Sequence, residues 1–106
     1  MLDIETMGTG YNSAIVSIGA VEFDRNGILR EFYETVDLRS SADGFEMDPQ
    51  TVIWWLMQSD QARAEIYNAE KCLAEVLYNF GTWLNPNSAL WSNGAEFDTV
   101  ILRPML

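Results

Sequence analysis

Asp3 and Glu5 are separated by one aliphatic residue in the segment Leu2-Asp3-Ile4-Glu5-Thr6. Read as a strand, the segment points Leu2 and Ile4 to one face and both acids to the other, with the acids roughly 6–7 Å apart along the chain. Two carboxylates so placed can share one hard cation through their oxygens. The chain has no histidine and a single cysteine, so the expected ion is Mg²⁺ or Mn²⁺ rather than zinc. An edge strand with its acids in water shows the same pattern, so the pair alone leaves the metal and solvent readings both open. A third acid, Asp98, follows an aromatic in Asn93-Gly94-Ala95-Glu96-Phe97-Asp98. A helix starting near Glu96 favours a carboxylate in its first turn through the helix dipole alone.

To bring these acids together the chain must supply strands on either side of them. Residues 7–12, with Gly8 and Gly10, read as a loop. Residues 14–23 are small, β-branched and apolar, and read as a mostly buried strand in which Gly19 marks a bulge or a close packing contact. Asp24-Arg25-Asn26-Gly27 is turn chemistry, and residues 28–36 return as the third strand of a hairpin. Residues 37–47 are polar and read as loop. Asp48-Pro49 is a helix start, N-cap followed by proline, for a helix over 49–58, and Ser59 caps a second over 60–68. A third helix begins near Ala69, where Leu73, Val76, Leu77, Phe80 and Leu84 make one apolar face with Cys72 packed beside it. Asn85-Pro86-Asn87 ends that helix, residues 89–92 form a short strand, and Asn93-Gly94 turns into a last helix. This order is α/β, and a strand reached through a helical crossover returns parallel to the first. With 89–92 beside 2–6, Asp98 approaches Asp3 and Glu5.

The chain's 106 residues suffice for one small domain, and a 48% hydrophobic content rules out disorder despite a net charge of −10. It has neither a signal-peptide pattern nor an apolar run long enough to span a bilayer, so a cytoplasmic location without membrane partners is expected. One cysteine excludes an internal disulfide. The acidity opposes direct phosphate binding, since only Arg25, Arg30, Arg39, Arg63, Lys71 and Arg103 are basic. That objection weakens if divalent ions loaded on carboxylates meet the phosphate. Glu31, Glu34, Glu65, Glu70 and Glu75 are most simply solvated faces.

The acids in order, D-x-E and then D in N-G-x-x-F-D, resemble the DnaQ-like DEDD superfamily of 3′-5′ exonucleases, with residues 15–24 similar to that family's second strand. The segment from Asp48 to Ser59, with Trp54-Trp55 at its centre, resembles the RNase T-related subgroup that includes phage exonuclease VIII-type exoribonucleases. The resemblance runs from Leu2 to Leu102 and implies an RNase H-like fold, a mixed sheet flanked by helices. It implies phosphodiester hydrolysis at the 3′ end of single-stranded RNA or DNA with two Mg²⁺ or Mn²⁺ ions, one activating water and the second stabilising the leaving oxygen. On this resemblance Asp3, Glu5 and Asp98 are catalytic metal ligands, and Thr6, Met7, Trp55 and Asn93 contact substrate. Trp54 or Trp55 could stack on a base, although helix-face aromatics are more often core.

One departure matters. The family's fourth acid and its preceding His or Tyr are missing after Asp98, and all four tyrosines, Tyr11, Tyr33, Tyr67 and Tyr78, come earlier. The expectation is therefore a single incomplete exonuclease domain over 1–106, its N-terminal part, truncated at the C-terminal side and poorly active by itself. Apolar surface left without its covering layer would favour homodimerisation. The competing expectation is a non-catalytic relative serving as a protein or nucleic-acid binding module, for which four tryptophans and strong acidity would also suit.

Overall fold

Alternation in the first five strand residues builds the sheet's two unlike faces. In the computed structural model, which describes residues 1–42 and 44–86, β1 (Leu2–Thr6) buries Leu2 and Ile4 and exposes Asp3 and Glu5. β2 (Ile15–Asp24) and β3 (Gly27–Thr35) complete an antiparallel sheet of order β1-β2-β3. The expected parallel strand over 89–92, the last helix, Asn93 and Asp98 lie outside the described residues.

The β2–β3 turn forms where its residues dictate. Asp24 pairs with Gly27, the Asn26 amide donates to Asp24 Oδ1 at 2.7 Å, and Gly27 has φ 124°, a conformation side-chain-bearing residues rarely adopt. Gly19, by contrast, is no bulge, because register is continuous through Asp3, Gly19 and Tyr33. The irregularities fall elsewhere. Between Glu22 and Phe23 the register shifts so that Leu29 is the extra residue on β3, and between Glu5 and Thr6 it shifts so that Val16 is the extra residue on β2.

Helices cover both faces. α1 (Leu38–Ala42) occupies part of the stretch whose polarity predicts loop, since Asp37 accepts from the Arg39 amide and Ser41 Oγ donates to Ile15 O at 2.8 Å within the core. α2 (Pro49–Leu56) and α3 (Asp60–Tyr67) start at the predicted caps, with Asp48 Oδ2 accepting from the Thr51 amide at 3.1 Å and Ser59 Oγ from the Ala62 amide at 3.2 Å. α4 (Leu73–Trp83) begins later than Ala69. Two tertiary bonds hold the preceding residues out of the helix: Asp37 N donates to Lys71 O at 2.7 Å, and Leu73 N donates to Ser40 Oγ at 2.9 Å. Cys72 consequently sits at the N-cap position, exposed, rather than packed beside the apolar stripe.

That stripe does bury. Val76 and Phe80 are fully enclosed with Leu2, Ile4, Ile18 and Val36, while Leu73, Leu77 and Leu84 pack at the margin. A second cluster of Met7, Ala14 and Val16 lies under Val52, Trp55 and Ile66 of α2 and α3. The sheet is thus held between α4 on the Leu2–Ile4 face and the α2–α3 pair on the Asp3–Glu5 face. No helix among the described residues is long and apolar enough to cross a membrane.

Candidate active site

Asp3 and Glu5 open into a cleft of about 340 Å³ between the sheet and the α2–α3 pair. Pairing sets what stands beside them: Gly19 lies opposite Asp3, Ser17 opposite Glu5, and Tyr33 opposite Gly19 on the next strand. The bulge at Val16 turns two consecutive β2 residues, Val16 and Ser17, toward the cleft while Ile15 stays in the core beneath. Such an irregularity beside a site re-aims side chains that simple alternation would have sent apart. Trp54 and Trp55 of α2 and Glu65 of α3 supply the far wall, with Gln58 between the helices.

Electrostatically the cleft is one-signed. Among the described residues Asp3, Glu5 and Glu65 line it, and no Lys or Arg does. Ion pairs among the described residues commit Arg30, Arg39 and Lys71 to Glu22, Asp37 and Glu34, and Arg63 to Asp60, all outside the cleft. Charges of one sign in a partly enclosed space raise the local concentration of counter-ions. Among the described residues the lining ligand atoms are carboxylate, hydroxyl and amide oxygens, which suit a hard divalent cation better than a soft one. Among the described residues no group of three or more acids, His or Cys is close enough to hold one ion. Asp3 and Glu5 are the two acids that β1 turns into the cleft.

Across the cleft, the Tyr33 hydroxyl donates to Glu65 Oε2 at 2.8 Å. Burial pushes the Tyr33 phenol above its ordinary range, Glu65 adds to the rise through this hydrogen bond and its charge, Ser17 opposes it, and the Glu5 charge contributes last.

The residues expected to meet substrate separate on the structure. Trp55 lines the cleft, although its Nε1 donates to Thr6 O at 3.0 Å and its ring packs on the Met7 cluster. Trp54 meets it edge-on, centroids 5.0 Å apart and 82° between planes, and is 52% exposed, so Trp54 presents the more accessible ring. Thr6 and Met7 do not line the cleft. Thr6 Oγ1 donates to Gly8 O at 2.7 Å and its carbonyl is taken by Trp55; Met7 is 4% exposed, its amide donating to Ala14 O and its carbonyl accepting from Asp48 N. Both shape the loop behind β1. Gly8 is needed there because a Cβ would stand 2.5 Å from Ser13 Oγ. Asn93 and Asp98 lie outside the described residues. Glu65 is exposed, as a solvated face requires, and also walls the cleft, while nothing in the local sequence around Tyr33 marks it; both reach the site through tertiary packing of β3 against α3.

A family model described as the 3′-5′ exoribonuclease Rv2179c-like domain matches residues 1–106, the full sequence. Among curated proteins the chain is similar to the exodeoxyribonuclease of Enterobacteria phage T4, 26% identical over 123 aligned positions covering 100% of this chain and 54% of that protein. The chain therefore spans about half the length of that curated relative.

Proposed function

This chain belongs to the Rv2179c-like 3′-5′ exoribonuclease domain family, and from that premise we propose that its cleft takes the 3′ end of single-stranded nucleic acid for metal-dependent phosphodiester hydrolysis. The observation that carries this reading is the placement of Asp3 and Glu5, side by side on an exposed strand face, in a cleft whose described lining holds three carboxylates, two tryptophans and no basic residue. A polyanion enters such a space with cations, and the oxygen ligands of the described residues point to Mg²⁺ or Mn²⁺. Bound divalent ions supply the charge that activates water and stabilises the leaving oxygen.

The chain's own residues then divide the remaining work. Asp3 and Glu5 hold the ion position, and we place Asp98 with them as third ligand, with Asn93 beside it. Trp54 offers its exposed ring to the terminal base, while Trp55 fixes the wall against β1. The strand order β1-β2-β3 with D-x-E on its first strand supports the narrower assignment to the DnaQ-like DEDD group and its RNase H-like fold. RNA and DNA both enter the proposal, because the family is described by an exoribonuclease and the phage relative is an exodeoxyribonuclease.

The test follows 3′-labelled single-stranded RNA and DNA with and without Mn²⁺. Strand binding should require Mn²⁺ and disappear in Asp3→Ala and Glu5→Ala, and the labelled terminal nucleotide should be the first product of any hydrolysis. Binding indifferent to both substitutions, or products cut from internal sites, would overturn the reading.

A further inference from the structure

A strand lying in an acidic cleft needs hydrogen-bond donors where its phosphates rest, and most donors here are committed. Trp55 Nε1 donates to Thr6 O at 3.0 Å, and the Gln58 amide donates to Trp54 O at 2.9 Å. Turning Trp55 away would leave the Thr6 carbonyl to find a new partner, and the Gln58 amide is spent on its own helix, where Trp54 O also accepts from the Met57 amide at 3.2 Å. Tyr33 differs. Its hydroxyl donates at 2.8 Å to Glu65, an exposed residue that water can reach when the phenol leaves. Register places its backbone two strands from Asp3, roughly 10 Å away. The intervening residue is Gly19, which has no side chain to block the way, and the Tyr33 ring lies within 3.6 Å of where a Gly19 Cβ would stand.

Resting on the reading of this cleft as a nucleic-acid site, we propose that Tyr33 is a second binding residue for the strand, its hydroxyl exchanging Glu65 for the phosphate adjoining the one held at Asp3 and Glu5. Glu65 is the resting acceptor. It holds the phenol across the cleft, and its charge opposes a phosphate both before and after the hydroxyl turns. The exchange gives the site a preference for chains with more than one phosphate over a single nucleotide.

The experiment measures Kd by equilibrium dialysis on the full chain in Ca²⁺, with a single-stranded trinucleotide and a nucleoside 5′-monophosphate as probes. Tyr33→Phe should raise the trinucleotide Kd about fivefold to tenfold and leave the monophosphate Kd within about twofold, as the net loss of one typical hydrogen bond predicts. Glu65→Ala, which frees the hydroxyl and removes a like charge, should leave trinucleotide binding unchanged or tighter. The proposal is overturned if Tyr33→Phe changes neither Kd, or if both substitutions weaken both probes alike, as a simple strut between β3 and α3 would. A wild-type chain that binds neither probe overturns the reading of the cleft itself, and this inference with it. Wild-type binding that depends on Asp3 but ignores Tyr33→Phe removes this inference alone.

Discussion

The indole Nε1 of Trp55 donates to the carbonyl oxygen of Thr6 at 3.0 Å, pinning α2 to the residue directly after Glu5. Because Trp55 also packs on the Met7 cluster, its role is to fix the wall, whereas the 52% exposed Trp54 beside it is available to a ligand. Trp55→Phe should therefore cost about 1 kcal/mol and lower Tm by about 4–8 °C. Trp54→Ala should melt near wild type yet weaken oligonucleotide binding by about 1–3 kcal/mol. Melting curves and oligonucleotide Kd values for the two variants separate these roles, and a Trp54→Ala chain that binds normally removes base stacking from the account.

Asp3 and Glu5 face the same cleft, and no basic side chain lines it among the described residues. Adding Mn²⁺ to ten times its Kd should stabilise the native state by about 1.4 kcal/mol, a rise of roughly 5 °C or more for a domain of this size. Asp3→Asn and Glu5→Gln should each abolish that rise, and Asp3→Asn should leave the metal-free protein as stable or slightly more so, since it removes a like charge. Differential scanning fluorimetry with and without Mn²⁺ reads both effects. An undiminished Mn²⁺ shift in both variants would place the ion elsewhere.

Tyr33 is held protonated by burial, then by its bond to Glu65 and the nearby charge of Glu5. Its folded pKa is raised above the unfolded value near 10, so the folded chain binds this proton more tightly. Its contribution to stability is complete below about pH 10 and lost as pH climbs through the raised folded value. Urea unfolding between pH 8 and 12 should show wild-type stability falling with pH more steeply than that of Tyr33→Phe. Parallel curves would mean that the phenol titrates alike in both states.

Phe80 is fully buried, 5.3 Å from the Phe32 ring and 6.0 Å from that of Trp83. It is the largest enclosed side chain between α4 and the sheet. Phe80→Ala should cost about 3–5 kcal/mol, a large fraction of the stability of a domain this small. Chemical denaturation measures it, and a loss under about 1 kcal/mol would show that α4 is not a main support of the sheet.

Local signals carried much of this protein in the sequence alone. Alternation in Leu2–Thr6 placed the acids, the Asp24–Gly27 turn set the hairpin, Asp48 and Ser59 announced two helices, and the Val76–Phe80 stripe named the core contact of α4. Each depends on residues within a turn or two of one another, so each is written in the order of the chain. The other half of the cleft is not. Counted back from the turn without a bulge, Phe32 rather than Tyr33 would lie opposite Gly19, and Tyr33 would face the core. The extra residue at Leu29 reverses the two, sending Phe32 to Phe80 and Tyr33 to Glu65. The bulge at Val16, the exposed Cys72 and the late start of α4 likewise answer to distant partners. Sequence determined which strand carries the acids and which face they share. Tertiary structure decided what stands across from them, because strand register and helix docking are settled by contacts between residues that the chain itself keeps far apart.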